Sequence, residues 1–415
     1  MAKALANRRP AHGLGRDFYV DPAFHHLDLE LIWHREWVFV GHAAEISSAG
    51  DFLTARIGLF NVIVVRGADG TIRALHNVCR HRGFQLCDAP SGSTRRRFVC
   101  PYHQWSYELD GTLATAREMG DDFDRSNYAL AAAHCREVEG MIFVSVADEP
   151  VDFEPIRATV GPYLAPFDLS RAKVAHVSTV VESGNWKLVM ENNRECFHCR
   201  VSHPELCVVF PLSPLHSGGG NAIERAGLNS LVAECEAAGL PSRFTMSADM
   251  QYRVMRMQLL SGATSMTIDG RAAVAKRLAE FPLADIGDVL LYHYPSTWNH
   301  FVADHAVVFR ILPIDATHTE LRTVWLVAGD AVEGVDYDVT TLTEVWTATN
   351  AQDQGLVERV QRGVASPAYR PGPYSTIEED GVIQFIDWYA ATMQSRLRLP
   401  PDCEARSLAN GRDQS

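Results

Sequence analysis

Residues 79–103, CRHRGFQLCDAPSGSTRRRFVCPYH, decide the reading of this chain. They hold Cys79-x-His81 and, eighteen residues later, Cys100-x-x-His103. Around them lie short β-branched runs broken by Gly, Asp and Pro: FLTARIG (52–58), FNVIVVRG (60–67), TIRALHNV (71–78), RRFVC (96–100), WSYELDG (105–111) and MIFVSV (141–146). Such runs predict strands, so the stretch is expected to form two loops of a small antiparallel all-β domain. Two thiolates and two imidazoles on separate loops can supply one metal centre.

A structural zinc accepts Cys₂His₂. The unequal spacing within the pairs and the neighbours Pro101, Tyr102 and Trp105 fit a Rieske [2Fe–2S] centre better, in which two histidines replace two cysteines on one iron. Cys87, between the pairs, reads as a packing cysteine.

Further along, NWKLVMENNRECFHCRVSHP (185–204) carries Glu191, Asn192, Glu195 and His198 at three- and four-residue steps. These steps predict one shared helix face, with His203 just beyond the helix, before Pro204. The stretch reads either as a solvated polar face or as two imidazoles converging on one ion; Cys196-x-x-Cys199 is a competing pair without a second half elsewhere. In 339–364 the apolar stripe Leu342, Val345/Trp346, Thr349, Leu356/Val357, Val360 includes Asp353. A buried carboxylate needs a partner. An arginine would serve; with His198 and His203 it would instead complete a 2-His-1-carboxylate iron site.

The whole chain sets the bounds. Its 415 residues, 47% hydrophobic and 21% charged, predict two to three domains. We expect an N-terminal helix (24–37) within residues 1–40 that packs on the catalytic domain, a Rieske domain at 41–150, a catalytic α+β domain at 151–400 and a disordered tail at 401–415. A net charge of −13 argues against nucleic acid. The four lysines (Lys3, Lys173, Lys187, Lys276) sit in no P-loop, and no G-x-G-x-x-G follows a strand-like run. Met1–Tyr19 lacks the apolar core of a signal peptide, and no run approaches the length of a membrane span. A soluble, cytoplasmic protein is expected, in which nine cysteines are not a disulfide framework.

With both motifs in view, the chain from Asp17 to Met393 resembles the Rieske non-haem iron oxygenases, oxygenase (alpha) component. The resemblance implies an antiparallel all-β Rieske domain joined to a helix-grip-type α+β catalytic domain. It also implies Cys79, His81, Cys100 and His103 as ligands of the [2Fe–2S] cluster and His198, His203 and Asp353 as ligands of a mononuclear Fe²⁺. Glu195 matches the acidic residue that bridges the two centres across a subunit interface, in a homotrimer or trimer-based hexamer. Departures from the aromatic-ring dioxygenases are Glu at 195 in place of Asp, Gln104 where Gly is usual, and a slightly long spacing between the loops. The stretches ENNRECFHC, HYPSTWNHF, DAVEGVDYDV and YRPGPYS are similar to the subgroup acting on quaternary ammonium compounds. QYRVMRM and HYPSTWNHF are similar to its proline betaine type.

The activity implied is O₂-dependent oxidative N-demethylation of a betaine, proline betaine (stachydrine) or glycine betaine, with release of formaldehyde. The alternatives are an aromatic ring-hydroxylating oxygenase and, from another class, a non-catalytic iron–sulfur carrier or zinc-stabilised binding module. Without a flavin or nicotinamide fingerprint in the chain, electrons are expected from a separate NAD(P)H-dependent flavin and iron–sulfur reductase. A quaternary ammonium has no N–H to donate and is recognised by aromatic faces. Tyr292 and Tyr294, two apart in a strand, are the candidates, with Trp298 and Phe301 nearby.

Overall fold

The structure, a computed structural model, describes residues 1–260 and 262–397. The tail expected at 401–415 lies outside the described residues. Ten strands build the first region: β1 (Val38–His42), β2 (Asp51–Ile57), β3 (Phe60–Arg66), β4 (Ile72–His76), β5 (Ser91–Ser93), β6 (Arg97–Val99), β7 (Ser106–Glu108), β8 (Leu113–Thr115), β9 (Ala132–Val138) and β10 (Met141–Ser145). They pair antiparallel in a seven-stranded sheet, order β1-β10-β9-β4-β3-β2-β5, and a three-stranded sheet, β6-β7-β8. Gly58 and Leu59 turn the β2–β3 hairpin. Gly58 has φ +59°, and a Cβ there would meet His34 Nε2 at 2.3 Å, so the turn requires glycine.

Seven strands make the second region's sheet: β11 (Ala172–Glu182), β12 (Thr245–Met246), β13 (Tyr252–Met257), β14 (Asp288–His293), β15 (Thr297–Phe301), β16 (His305–Pro313) and β17 (Thr319–Ala328). Their antiparallel order is β11-β17-β16-β15-β14-β13-β12. Every residue of β13 to β16 is buried, because the sheet is covered on both faces. The helix Val339–Val364, capped by the Asp338 carboxylate, packs on β11 and on the helix Trp186–Asn193. Its buried side includes Leu342, Val345, Trp346, Thr349 and Val357, as its periodicity predicts, but Val360, expected on the same stripe, is exposed.

Two sequence expectations are corrected. The N-terminal helix is Pro22–Asp28, entered through an Asp21 cap and continued by one π turn, Leu29–Trp33. The chain then extends into β1, so the division expected at residue 40 falls inside a strand: Val38, Phe39 and Val40 are β-formers that pair with β10. The second correction, at residues 194–198, belongs to the metal site described below.

The N-terminal segment is fastened to the catalytic region by an ion pair between Asp28 and Lys187, both fully buried. Trp186 Nε1 and the Tyr389 hydroxyl donate to the same carboxylate at 3.1 and 2.6 Å. One turn on, Glu191 accepts from the Tyr19 and Tyr374 hydroxyls, both at 2.8 Å. Burial pushes the Glu191 carboxyl up to about 7, against the pull of these two donors. The folded state therefore holds this proton more tightly than the unfolded chain. The resulting stabilisation is complete below the unfolded value near 4.5 and is lost as pH rises through about 7. Relative to Glu191→Gln, denaturant unfolding should show the native chain losing up to about 1.4 kcal/mol per pH unit across that window; parallel curves would contradict this.

Candidate metal centres

The two Cys/His loops have the same backbone frame. Cys79 N–H donates to Phe84 O and Gly83 N–H to Cys79 O; Cys100 N–H donates to Trp105 O and Gln104 N–H to Cys100 O, all at 2.8–2.9 Å. Both loops close through a left-handed residue, Gly83 at φ +73° and Gln104 at φ +58°. The departure at Gln104 thus keeps the backbone shape that glycine would give, at some conformational cost. Cys79 and Cys100 are buried, His81 is partly exposed and His103 exposed. The imidazole centroids lie 4.6 Å apart, and His81 stacks on Trp105.

The donor set suits a cluster with its sulfurs inside and its histidines at the surface. Burial pushes the Cys100 thiol up, while the backbone N–H groups of Tyr102 and His103 draw it down, as they would in holding a thiolate. The Tyr107 oxygen accepts the Arg80 N–H at 3.0 Å and lies 3.2 Å from Cys79 Sγ, leaving its own proton to donate to sulfur.

At the second site the expected single helix is broken. It ends at Asn193, and Glu195 and His198 lie beyond it. Glu195 Oε2 accepts from the backbone N–H groups of Phe197 and His198, and Arg194 is drawn sideways to Tyr294 and Gln384. Local side-chain bonds to the backbone thus compete with the helix and win. A short turn, Cys199–Ser202, then carries His198 and His203 at its two ends.

Their Nε2 atoms lie 3.0 Å apart, and Asp353 Oδ1 is 3.2 Å from the first and 3.0 Å from the second. Each ring is oriented from its far side: Glu195 Oε1 lies 2.6 Å from His198 Nδ1, and Gln352 Oε1 lies 2.7 Å from His203 Nδ1. If each Nδ1 donates, the Nε2 lone pairs and a carboxylate oxygen converge, an arrangement that fits a cation. Burial lowers the His198 imidazole, but Asp353 and Glu195 outweigh it and raise it to about 10. Burial raises Asp353, yet the two imidazoles bring it below the usual carboxylate range.

Cys199 Sγ lies 4.0 Å from His198 Nε2 and is the competing donor. Its neighbour Cys196 and burial push the thiol far up, so it stays protonated where Asp353 is ionised.

These groups line a pocket with Phe210, Tyr292, Trp298, Trp346 and Glu182. Glu182 Oε2 has no partner. Burial, then the charges of Asp353 and Glu358, push its carboxyl to about 8, so it holds a proton at neutral pH. Tyr292 lines the cavity, but the Arg194 and Arg253 guanidinium carbons lie 4.2 and 4.8 Å from its ring centroid. Tyr294 does not line it: its hydroxyl takes Arg194 Nε at 2.5 Å and its ring packs on Phe385 and Trp388. Cations already held at the Tyr292 and Tyr294 rings work against both as the ammonium platform. Phe301 is core. The sequence reading missed Gln352, Glu182, Arg194 and Arg253. The burial argument used for Asp353 applies equally to Arg253, a charge between apolar residues of QYRVMRM.

Residues 36–130 match the Rieske [2Fe-2S] domain family, and residues 169–395 match the family described as ring hydroxylating alpha subunit (catalytic domain). The chain belongs to this family of oxygenase alpha subunits, non-haem iron oxidoreductases whose two domains bind a Rieske cluster and a mononuclear iron. That removes the zinc-module reading. Along nearly its whole length the chain is similar to glycine betaine monooxygenase oxygenase subunits. It is 45% identical to that of Chromohalobacter salexigens over 98% of this chain and 91% of the relative. For Pseudomonas aeruginosa the figures are 45%, 95% and 92%. Over 48% of the chain and 54% of the relative it is 33% identical to the carnitine monooxygenase oxygenase subunit of Escherichia coli. The fold superposes on the quaternary ammonium Rieske monooxygenase CntA with a TM-score of 0.73 at 22% identity, covering 95% of this chain and 99% of that one. Among the described residues no helix is long and apolar enough to cross a membrane.

Proposed function

We propose that the chain is the oxygenase component of a betaine monooxygenase, removing one N-methyl group as formaldehyde, with glycine betaine the first candidate substrate. The observation that carries this reading is the convergence of His198 Nε2, His203 Nε2 and Asp353 Oδ1 within 3.2 Å, beside an aromatic cavity. His198, His203 and Asp353 hold the mononuclear iron; Cys79, His81, Cys100 and His103 hold the cluster. When bound, the cluster passes single electrons and the ferrous ion supplies O₂ chemistry.

The chain's own groups do the rest. Trp298, Trp346 and Phe210 receive the methylammonium and exclude water; Glu195 and Gln352 fix the two imidazoles. Glu182 Oε2 holds a proton at the cavity wall. Oxidation of one methyl consumes O₂, two electrons and two protons and yields an N-CH₂OH carbinol and water. The carbinol hydroxyl then loses its proton as the C–N bond breaks, leaving formaldehyde and the tertiary amine.

Both electrons come from a separate NAD(P)H-dependent flavin and iron–sulfur reductase. Of the four cluster ligands the histidines are the exposed ones, His81 partly and His103 openly, which supports electron transfer from them through a neighbour's Glu195 to its iron in a homotrimer. Among the described residues all eight cysteines are free, in keeping with a reducing cytoplasm.

Formaldehyde release from a panel of betaines, set against diol formation from arenes, tests the reading. Formaldehyde without diol is expected; diol without formaldehyde would favour the aromatic alternative.

A further inference from the structure

Beside the metal cavity, and sharing Tyr292, Phe210 and Cys196 with it, lies a second pocket. Arg194 and Arg253 line it, only 3% and 6% exposed. Arg194 uses Nε on the Tyr294 hydroxyl and Nη2 on Gln384 Oε1, while its Nη1 has no partner. Arg253 Nη1 lies 3.4 Å from His216 Nε2, and its Nε has no partner. Among the described residues neither guanidinium has a carboxylate within ion-pairing distance. Asp380, whose charge Arg253 feels, lies 3.4 Å from His216.

Two neighbouring buried cations without a paired anion are costly unless a ligand supplies the charge. Arginine's planar fork suits a carboxylate. Tyr292 lines both pockets; the carboxylates Glu195, Glu378 and Asp380 also line the second, but none of them lies within ion-pairing distance of either guanidinium.

We propose that this second cavity is the carboxylate subsite for the substrate, with Arg253 and Arg194 the residues that select an acid end. The inference rests on the betaine reading above and deepens it. The methylammonium lies among Trp298, Trp346 and Phe210, and the carboxylate crosses Tyr292 to the two guanidinium groups. On this arrangement Tyr292 carries arginines on its ring because its task is to hold the anion-binding pair.

The test compares glycine betaine with its carboxamide, in which the anion is replaced by a neutral group of similar size. Calorimetric binding and formaldehyde release are both measured on the full chain loaded with iron. The native protein should bind the amide at least tenfold more weakly than the acid. Arg253→Gln should raise KM for glycine betaine at least tenfold, leave kcat within a few-fold and abolish the preference for acid over amide. The preference is a ratio within one protein, so loss of folded material does not imitate it, and the native comparison stands if the variant fails to fold. Equal binding and use of acid and amide by the native protein would overturn the subsite and leave the betaine reading intact. No formaldehyde from any betaine would overturn the reading and the subsite with it.

Discussion

Asp353→Ala should abolish oxygenase activity, by at least about 100-fold, and leave the protein without its mononuclear iron while the visible spectrum of the cluster is unchanged. Among the described residues, Asp353 supplies the only carboxylate oxygen within 3.2 Å of both Nε2 atoms. Outer-shell partners alone typically change metal affinity or activity by about 10–100-fold, and removal of a direct ligand costs more. Cys199 Sγ, 4.0 Å from His198 Nε2, lies farther from the imidazole nitrogen than Asp353 Oδ1 does. The cluster loops share no hydrophobic core with the helix Val339–Val364, so the spectrum is insulated from the substitution. Iron analysis together with absorption separates the outcomes. Retention of three irons per chain with full activity would remove Asp353 from the ligand set.

Glu195→Gln should keep both metals and slow product formation in a single turnover at least about tenfold. Glu195 Oε1 lies 2.6 Å from His198 Nδ1, and its second oxygen caps the backbone at 197 and 198. Glutamine can still accept from Nδ1–H through its amide oxygen, which keeps the ring's orientation and the iron's ligand, while its NH2 cannot accept from the 197 and 198 N–H groups, so that backbone cap is lost. The negative charge is lost, and with it the stabilisation of a more positive imidazole as iron is oxidised. In the proposed assembly, the bridge to a neighbouring subunit's cluster histidine is weakened as well. Unchanged single-turnover kinetics with both metals present would count against the bridge.

The side chains that converge at the two candidate metal sites were legible because that donor chemistry is written in spacing. Cys79-x-His81 and Cys100-x-x-His103 need two adjacent loops and nothing else. Asp353 stood out as a charge on the apolar stripe of a helix that the structure reproduces at Val339–Val364. The break after Asn193 was not legible, since it depends on Glu195 capping its own backbone and on Arg194 finding Tyr294, 100 residues away. Short edge strands such as β5 and β8 carry too few residues for a pattern and form by pairing with β2 and β7. For Tyr292 the residue type and position drew attention, but its partners come from β13 and the loop after Asn193, which no local pattern links.

The central claim is that this chain itself carries out the methyl oxidation, with one electron stored at each of two centres. Its most direct test is a single turnover without any reductase: the iron-loaded chain is reduced, freed of reductant, mixed with glycine betaine and exposed to O₂. The account predicts close to one formaldehyde per mononuclear iron, with loss of the reduced-cluster spectrum over the same time. Oxidation of the cluster with no formaldehyde formed would contradict it.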